Sequence, residues 1–521
     1  MVVVSPYPAV DIPEMPLTAF VLERATEFGD KPALIDGPSG RTITYQELAG
    51  AVRAMGAGLT ARGFVKGDCF AIYMPNLPEY AIAFHGVASI GGIVTTVNPL
   101  YTAEELAFQL KDSKARFLLT IPQFLDNAKQ AASTSGVEET FVLGEAEGAT
   151  SVMELLSAGT DVPTVDFDVH NDLAILPYSS GTTGFPKGVM LTHHNLVSNI
   201  EQFLGAQGID SSDSFIGLLP FFHIYGMTVL MNGGLRSGAT IVTIPRFDLE
   251  QFLELSQKYS TTRAYLVPPV ILALAKHPVV DNYDLSSIKL IMSGAAPLSG
   301  DLAAAASDRL GCYVMQGYGL TETSPVTHVV PEDPAKNKPG SIGPPISNTE
   351  CIVVDPTSGE EVATDELGEV WIRGPQVMRG YLNNDAATSM TIDSDGWLHS
   401  GDIGRVDSDG YFFLVDRLKE LIKYKGMQVA PAELEAVLLS HPQISDAAVI
   451  GVADEEAGEV PKAFVVLAGE LGEDDIKSYV ADRVAPHKRI RVVEAVDSIP
   501  KSASGKILRR LLKDKEEATT R

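Results

Sequence analysis

Cysteine is scarce in this 521-residue chain, which holds only Cys69, Cys312 and Cys351. Three cysteines, odd in number and far apart, argue against a disulfide framework and a cysteine-rich zinc site, and they favour a reducing compartment such as the cytoplasm. Basic residues are also few, since 40 Lys and Arg stand against 67 Asp and Glu, for a net charge of −27. This balance argues against nucleic acid or an anionic membrane as the main partner, because both require a basic surface.

Several catalytic and targeting motifs are also missing. The chain contains no H-E-x-x-H, C-x-x-C or G-x-S-x-G, which removes metalloprotease, thioredoxin-like and serine-hydrolase functions. The first residues lack a positive segment and are broken by prolines, and the last residues (EEATTR) carry no lipidation or peroxisomal signal, so we expect neither a signal peptide nor an anchor. Two uncharged stretches, 80–101 and 217–235, contain glycines and a proline each, and they predict buried helix-plus-strand segments rather than membrane spans.

The remaining composition is that of a globular protein with a large core, at 45% hydrophobic and 21% charged residues. The length suggests three to four domain-sized units. Thr102 followed by Glu105 predicts a capping box and a helix through about Asp112. Short apolar runs bounded by Gly, Ser or Pro predict buried parallel strands at 116–121, 173–176, 241–244, 288–292 and 312–315. Alternating strands and helices indicate an α/β fold.

Three of these runs lead directly into glycine-rich loops: PYSSGTTG at 177–184, SGAAPLSG at 293–300 and QGYGLTE at 316–322. Ligands of open α/β sheets bind beyond the carboxyl ends of the strands. We therefore expect the three loops to converge on one site at one sheet edge.

The pattern of predicted strands, helices and turns changes twice in the last third of the sequence. From about Asn348, short strands with glycine turns predict a small antiparallel β-unit. From residue 417, after a short link at 416–418, the pattern predicts a separate small α+β domain. It would contain a helix after Pro431, strands at 447–452 and 462–467, a helix near 474–484 and a final basic segment.

Two loops have the chemistry of a nucleotide site. In SSGTTGFPKG at 179–188, small hydroxyls, exposed N–H groups and one lysine suit phosphate oxygens, although the G-K-[ST] ending of a Walker A loop is absent. In QGYGLTET at 316–323, Tyr318 offers a flat face for a purine, and Thr321 and Glu322 could hold phosphate and Mg²⁺. Taken alone, each segment also fits an ordinary surface turn.

Single charged residues are more ambiguous. Asp402, in GWLHSGDIG, could accept hydrogen bonds from a sugar diol with help from Arg417, or could simply cap a turn. Lys506, in SASGKILRR, could reach an anion or belong to a solvated basic tail. His223 lies in an apolar run, where a core histidine is the commoner case. His193 and His194 are adjacent and do not share a helix face, which makes them poor joint metal ligands.

Taken in this order and spacing, the motifs resemble the adenylate-forming superfamily of acyl-CoA synthetases, luciferases and peptide-synthetase adenylation domains. The resemblance rests on YSSGTTGFPKGVMLTHHN, QGYGLTETSP, GWLHSGDIG, VDRLKELIKYKGMQVAPAELE and PKSASGKILRR. Within the superfamily, LKELIKYKGMQVAPAELEAVLLSHP, FFHIYGM and MSGAAPL are most similar to the 4-coumarate–CoA ligase family. Ser400 stands where many relatives have Thr, and Met427 where many have Phe.

The resemblance implies an α/β fold with a large N-terminal AMP-binding domain at 1–416. That domain would comprise two α/β subdomains, about 1–170 and 171–347, and a small β-barrel subdomain at 348–416. A small mobile α+β C-terminal domain would follow at 417–521, with a hinge near 416–419. The implied reaction joins a carboxylic acid to ATP, giving an acyl-adenylate and pyrophosphate, and then coenzyme A displaces AMP. Mg²⁺ would assist, and the acid would be a hydroxycinnamic-type aryl acid.

The resemblance also assigns residues. The implied nucleotide contacts are Ser179, Ser180, Gly181, Thr182, Thr183 and Lys187 at the β- and γ-phosphates, Gln316, Gly317 and Tyr318 at the adenine, Thr321 at the α-phosphate, and Asp402 and Arg417 at the ribose. Glu322 would hold Mg²⁺, Lys506 would bridge the carboxylate and the α-phosphate, Lys419 would be the hinge, and Lys423 and Gln428 would serve the thioester step. The implied coenzyme A contacts are Arg246, Lys425 and Gly426. The implied acid pocket is Tyr225, Thr228, Val229, Tyr265, Met292, Ala295, Gly319, Pro325, Val326 and Val329, with the catalytic His223 at its mouth.

Three other functions stay open at this point. A medium- or long-chain fatty acyl-CoA synthetase would use the same mechanism, and the mostly apolar pocket suits an alkyl chain as well as an aryl group. A luciferase-like oxygenase would share the first half-reaction. A catalytically silent nucleotide-binding protein is disfavoured by the presence of both Lys506 and Lys423.

Overall fold

The computed structural model describes residues 2–179, 186–425, 427–454, 456–502 and 505–520. Its strands are β1 Val3–Val4, β2 Pro32–Asp36, β3 Thr42–Thr44, β4 Cys69–Tyr73, β5 Ile93–Thr96, β6 Ala115–Thr120, β7 Glu139–Val142, β8 Thr150–Ser151, β9 Leu173–Ser179, β10 Lys187–Thr192, β11 Ser214–Gly217, β12 Thr240–Thr243, β13 Arg263–Leu266, β14 Leu290–Ser293, β15 Tyr313–Gly319, β16 Val326–Val329, β17 Glu350–Val354, β18 Gly368–Arg373, β19 Gly380–Tyr381, β20 Leu398–Val406, β21 Phe412–Arg417, β22 Ile422–Tyr424, β23 Met427–Val429, β24 Ile444–Asp454, β25 Gly458–Leu467 and β26 Val492–Ala495.

The helices are α1 Leu17–Val21, α2 Ala25–Phe28, α3 Tyr45–Ala61, α4 Pro78–Ser89, α5 Ala103–Asp112, α6 Leu125–Ser135, α7 Val152–Leu156, α8 His193–Ala206, α9 Gly234–Ser237, α10 Leu249–Lys258, α11 Pro268–Lys276, α12 Gly300–Leu310, α13 Asp385–Thr391, α14 Pro431–Leu439, α15 Glu473–Ala481 and α16 Arg509–Thr520. A π-helical segment covers Tyr225–Gly233, and a 3₁₀ turn covers Thr321–Thr323.

The first sheet has the strand order β19-β10-β9-β5-β4-β6-β7-β8. It is parallel from β9 to β8, and β10 and β19 add antiparallel strands at one edge. Every residue of β4 is buried, as expected for a central parallel strand covered on both faces. The predicted capping box is confirmed, because the Thr102 side chain accepts from the Glu105 N–H and the Glu105 carboxylate accepts from the Thr102 N–H.

Two four-stranded sheets follow, with the orders β11-β12-β2-β3 and β13-β14-β15-β16. They adjoin where the Thr262 N–H donates to the Ser214 carbonyl over 3.0 Å. Both expected subdomains contribute strands to the same sheets, so the sheets do not follow the expected boundary at residue 171. Strand β2 pairs with β12, and β9 pairs with β5, because parallel pairing joins strands that are distant in sequence.

The β-rich unit is an antiparallel sheet of order β1-β17-β18-β20-β21. The short antiparallel strands expected after Asn348 are present as β17, β18, β20 and β21, and β1, from the start of the chain, pairs with β17. Among the described residues no pairing joins β1 to β21, so the expected barrel is an open sheet. The outer edge of β21 is instead covered by the loop at 341–343, which exchanges backbone hydrogen bonds with Phe412.

The last unit is built on the sheet β23-β22-β25-β24, with β26 paired to β25. The predicted strands at 447–452 and 462–467 lie within β24 and β25, and the two predicted helices correspond to α14 and α15. A separate apolar core, which includes Val449, Val465 and Ile476, packs between this sheet and α14 and α15. The helix α16 completes the unit.

The two uncharged stretches of the sequence are mostly buried, although Leu100 in the first is 75% exposed. The first forms α4 and β5, as predicted, whereas the second begins at the end of β11 and continues as the π-helical segment and α9 instead of a helix and a strand. Across the described residues, every helix is too short or too polar to cross a membrane.

Candidate active site

The loop between β9 and β10 is anchored at both ends. Ser179 is the last residue of β9 and pairs with Lys187, the first residue of β10. Ser179 Oγ donates to Glu322 Oε1 over 3.0 Å, and Lys187 Nζ lies 4.0 Å from the centroid of the Tyr381 ring. The predicted phosphate contacts Ser180, Gly181, Thr182 and Thr183 lie outside the described residues.

Glu322 links this loop to the second half of the site. It lies in the 3₁₀ turn that follows β15, next to the partly buried Thr321. Tyr381 Oη donates to Glu322 Oε1 over 2.8 Å, and the Met378 N–H donates to the Glu322 carbonyl over 2.8 Å. Burial is the larger cause of a raised pKa of Tyr381, and the charge of Glu322 raises this pKa further. The phenol therefore stays protonated and donates its hydrogen bond to Glu322. Tyr381 was not identified from the sequence, where GYLNN carries no recognisable motif.

The three glycine-rich loops do not share one sheet edge, contrary to the sequence-based expectation. The loop after β9 leaves the eight-stranded sheet, whereas the loops after β14 and β15 leave a four-stranded sheet. Strands β14 and β15 pair with each other and not with β9, so the loops meet across the junction of two sheets. The hydrogen bond of Ser179 to Glu322 joins the loops after β9 and β15, and that of the Leu298 N–H to Gln316 joins the loop after β14 to β15.

A second cluster forms around Asp402 on β20. Arg417 lies opposite on β21, with Nε 3.4 Å from Asp402 Oδ1, and Tyr318 Oη donates to Asp402 Oδ2. Burial raises the pKa of Asp402, and the charge of Arg417 opposes that rise. Asp402 therefore has a cation and a phenol beside it, rather than acting as a turn-capping residue alone. Tyr318 packs against the buried His328, with ring centroids 5.8 Å apart.

The other two residues expected at the adenine have structural contacts. Gln316 Oε1 accepts from the Leu298 N–H over 3.1 Å, and Gln316 Nε2 donates to the Ser341 carbonyl over 3.3 Å. Its side chain therefore holds the loop after β14 against the segment that covers β21. Gly317 has no room for a side chain, because a Cβ there would lie 2.1 Å from Met292 Cε.

Lys506 comes from the C-terminal unit and lies close to both clusters. Burial and the nearby Arg417 lower the pKa of Lys506 to about 8, while Glu420, Asp402 and Glu322 act in the opposite direction. Burial and the charge of Lys506 lower the pKa of His223 to about 4, so this histidine is neutral near pH 7. Lys506 is therefore not part of a solvated tail.

The loop that carries Lys506 rests on the N-terminal part of the protein. The Lys506 N–H donates to Ser502 Oγ over 3.1 Å, and a Cβ at Gly505 would lie 3.2 Å from Val267 Cγ2. Gly505 has a φ of +78°, in the left-handed region that glycine adopts without strain. A small residue at this point lets the loop approach the start of α11 closely.

The predicted acid pocket is partly assembled by direct contacts. Tyr225 Oη donates to the Met292 carbonyl over 3.3 Å, and the Tyr225 N–H donates to His223 Nδ1 over 3.3 Å. A Cβ at Gly317 would meet both Met292 and Val329, and one at Gly319 would lie 2.0 Å from the Pro325 carbonyl oxygen. The buried members are Tyr225, Thr228, Val229, Tyr265, Met292, Pro325, Val326 and Val329, whereas Ala295 and Gly319 are exposed.

The polar groups of this pocket are few. Thr228 Oγ1 is buried and has no hydrogen-bond partner among the described residues, and the same holds for Tyr265 Oη. Tyr265 packs edge-on against Phe203 and Phe215, so its ring belongs to the core behind the pocket. Asn199, on α8, was missed by sequence reasoning. Its amide accepts from the Val326 N–H and donates to the Val326 carbonyl, which fixes the start of β16.

The residues predicted for the thioester step face solvent. Lys423 and Gln428 lie opposite each other in the β22–β23 hairpin, and both are exposed. Lys425 Nζ pairs with the Glu456 carboxylate. Arg246 is exposed after β12, and Gly426 lies outside the described residues.

The predicted hinge residue, Lys419, is exposed in a turn directly after β21. Before the turn, Asp416 Oδ2 accepts from the Ala432 N–H over 2.8 Å. After it, Glu420 pairs with Arg509, which also pairs with the buried Glu435. Carboxylates on both sides of the turn are therefore held by the C-terminal unit.

Comparison with known proteins agrees with this architecture. The AMP-binding enzyme family matches residues 21–382, and the AMP-binding enzyme C-terminal domain matches residues 433–506. The 4-coumarate:CoA ligase 1 of Petunia hybrida is 44% identical over 521 residues, which cover 98% of this chain and 96% of that protein. The 4-coumarate–CoA ligase 2 of Petroselinum crispum is 44% identical over 523 residues, with the same shares covered. The crystal structure of the anthranilate CoA ligase AuaEII in complex with anthranoyl-AMP superposes with a TM-score of 0.91 at 27% identity, covering 97% of this chain and 98% of that one. The chain therefore belongs to the AMP-binding enzyme family.

Proposed function

We propose that this protein is an acid–thiol ligase that joins a hydroxycinnamic-type aryl acid to coenzyme A. ATP would first convert the acid to an acyl-adenylate with release of pyrophosphate, and coenzyme A would then displace AMP. The observation that carries the proposal is the position of Lys506, a partly desolvated cation that faces the Asp402 and Glu322 clusters from the other domain. Full-length similarity to two plant 4-coumarate–CoA ligases supports the choice of acid.

The first half-reaction requires that negative charge be neutralised around a phosphoryl group. In the proposal, Ser179 and Lys187 contact the β- and γ-phosphates together with the loop at 180–183. Thr321 binds the α-phosphate, and Asp402 and Arg417 bind the ribose. Tyr318 packs on the adenine, and its hydroxyl moves from Asp402 when the ribose diol arrives. Lys506 then neutralises the attacking carboxylate and the α-phosphate together.

Glu322 suits a magnesium ion. Its carboxylate accepts the two described hydrogen bonds, from Ser179 and Tyr381, on Oε1, which leaves Oε2 for a cation. Mg²⁺ prefers one or two carboxylate oxygens together with substrate phosphates and waters. The ion would supply positive charge at the phosphates, and Ser179 and Tyr381 would orient its carboxylate ligand.

The second half-reaction would use the β22–β23 hairpin. We propose that residues 417–521 rotate as a domain about the turn at Lys419, replacing Lys506 with the face that carries Lys423 and Gln428. Arg246, Lys425 and Gly426 would then contact coenzyme A. The three cysteines are buried and are not in disulfides, which supports the proposal of a cytoplasmic location.

The proposed acid pocket suits a flat aryl group. Its described walls are mostly apolar, and Met292 packs against Gly317 across the pocket floor. His223, neutral near pH 7, would stand at the mouth beside the reacting carboxylate. A fatty acid is the second candidate, because the same apolar walls accept an alkyl chain.

The test is a substrate panel in which AMP formation is measured with and without coenzyme A. The panel contains 4-coumarate, cinnamate and saturated fatty acids of increasing chain length. We expect turnover of the cinnamic acids to exceed that of each fatty acid in kcat/KM, and we expect coenzyme A to be required for multiple turnovers. Faster use of fatty acids would replace the aryl-acid assignment, and AMP formation with no thioester product would refute the ligase.

A further inference from the structure

A group of metal-ligating side chains lies apart from the residues proposed for catalysis. Glu14 precedes α1, His170 lies in the turn before β9, and His194 is in the first turn of α8. One ligand atom from each of the three side chains lies within 4.8 Å of the others. In the described residues, this is the group of three or more His, Cys, Asp or Glu side chains that satisfies such spacing.

The backbone segments that carry these side chains are tied together. The His194 N–H donates to the Val169 carbonyl over 2.9 Å, which joins α8 to the turn that carries His170. The Leu17 N–H donates to His193 Nδ1 over 3.1 Å, which joins the chain after Glu14 to the same end of α8. The turn itself is closed by the Asp172 N–H, which donates to the Asp168 carbonyl over 2.7 Å. The three side chains therefore start from fixed positions.

The ring nitrogens are arranged toward the carboxylate. His170 Nε2 lies 2.9 Å from Glu14 Oε2, and His194 Nδ1 lies 3.9 Å from Glu14 Oε1. His194 Nδ1 is buried and has no hydrogen-bond partner among the described residues. The two imidazole rings lie side by side, with centroids 4.1 Å apart. A buried ring nitrogen without a hydrogen-bond partner thus faces a carboxylate and lies beside a second imidazole, an arrangement whose chemistry suits a cation.

We propose that Glu14, His170 and His194 bind one divalent transition-metal ion of the zinc class. Two imidazoles and one carboxylate are a ligand set that zinc accepts, with water in the fourth position. Bonds of about 2.0–2.2 Å in a tetrahedron place the ligand atoms roughly 3.3–3.6 Å apart. The two distances from Glu14, 2.9 Å to His170 and 3.9 Å to His194, lie on either side of that range.

The three cysteines do not compete for such an ion in the folded chain. Burial raises the pKa of Cys69 to about 12 and that of Cys312 to about 11, and Cys351 is buried as well. These thiols stay protonated and inaccessible. The ion would pin the segment around Glu14 to the end of α8.

The experiment uses the full-length protein without nucleotide, because ATP itself binds divalent ions. Zn²⁺ is measured by equilibrium dialysis, and Co²⁺ by its visible absorption, which reports a low-symmetry site with nitrogen ligands. We expect one equivalent of each ion. His170→Ala should weaken binding at least tenfold, and Glu14→Gln should weaken it as well. His277→Ala removes an exposed histidine elsewhere and should have no effect.

Two readouts separate the outcomes. The adenylation rate of each variant checks that it is folded, since His170 and Glu14 are mostly exposed and lie outside the proposed machinery. Hydrogen exchange at residues 11–16 should slow when Zn²⁺ is added to the unmodified protein and should not change in His170→Ala. Binding that is unchanged in His170→Ala, or lost equally in His277→Ala, would overturn the proposal and leave Glu14 and His170 as a simple ion pair.

Discussion

The charge on Lys506 should control the pH dependence of adenylate formation. Burial and Arg417 lower the pKa of this lysine to about 8, well below the usual value for a lysine. A lysine with a lowered pKa is charged below that pH and loses its charge as the pH rises through it. About half of the free enzyme therefore carries the cation at pH 8, about a tenth at pH 9 and about a hundredth at pH 10.

These fractions translate directly into rates. The pH dependence of kcat/KM reports groups of the free enzyme, so kcat/KM for adenylation should fall about tenfold for each pH unit above 8. Bound triphosphate adds negative charge beside the ammonium and raises its pKa, so kcat should begin to fall only at higher pH. Lys506→Ala should raise the activation free energy of adenylation by about 3 kcal/mol or more, which lowers the rate at least about a hundredfold.

The decisive variant is Lys506→Arg. Arginine keeps its charge above pH 12, so the fall in kcat/KM above pH 8 should vanish even if the larger side chain lowers the absolute rate. The assay is pyrophosphate release without coenzyme A between pH 6 and 10, with ATP and the acid both well below their KM values, so that the rate reports the free enzyme. Thioester formation from a supplied acyl-adenylate should be spared in Lys506→Ala. Matching pH profiles for the native enzyme and Lys506→Arg, or equal losses in both half-reactions, would refute the role of Lys506.

Three further outcomes are expected. Lys423→Ala should slow thioester formation from a supplied acyl-adenylate more than it slows adenylation, because Lys423 is on the exposed hairpin. The control is Lys477→Ala, which changes a partly exposed lysine of the same unit. Equal losses in both steps for Lys423→Ala would contradict the expectation. The kcat/KM for cinnamate should lie within about tenfold of that for 4-coumarate. The Thr228 hydroxyl is a single small hydrogen-bonding group for the substrate phenol, and its contribution is about 1–3 kcal/mol at most. A preference for 4-coumarate above about a thousandfold would mean that the pocket has a polar group that has not been identified. Arg509→Met should destabilise the C-terminal unit by about 3–5 kcal/mol, because it removes the cation beside the buried Glu435 and the partly buried Glu420. Arg510→Met, at 67% exposure, should not destabilise it; denaturant unfolding and limited proteolysis of the full chain measure both variants, and similar effects would contradict the burial argument.

Local features of the fold were predictable from the sequence. The Thr102 capping box, the buried strands and the antiparallel unit after Asn348 follow from contacts within a few residues or from a simple period. The family is confirmed by two matched domains and by relatives that span nearly the whole chain. The roles of individual residues stay predictions, and four of the phosphate-loop residues lie outside the described structure.

Long-range pairings were not predictable. Nothing local in Val3–Val4 indicates that this strand pairs with β17. Likewise, nothing near β2 indicates that its second neighbour, besides β3, is the distant strand β12. The same limit explains the wrong expectation of a single sheet edge for the three glycine-rich loops. Tyr381 and Asn199 were missed because each acts through a distant partner, Glu322 or Val326, and neither sits in a segment with a recognisable spacing.

The arrangement of the C-terminal unit favours a two-position cycle over a fixed active site. Lys506 is held beside Asp402 and Glu322, while the exposed hairpin with Lys423 and Gln428 has its side chains in solvent. One rigid unit cannot bring both faces to the same phosphate and carbonyl atoms at once. The C-terminal unit is held in its present position partly by two single hydrogen bonds, from the Leu418 N–H to the Gly401 carbonyl and from Lys276 Nζ to the Leu439 carbonyl. Gly505 also packs on Val267. Such hydrogen bonds are worth about 0.5–1.5 kcal/mol each. In the proposed mechanism, acyl-adenylate formation removes the carboxylate charge that Lys506 neutralises, and this loss would favour the second face.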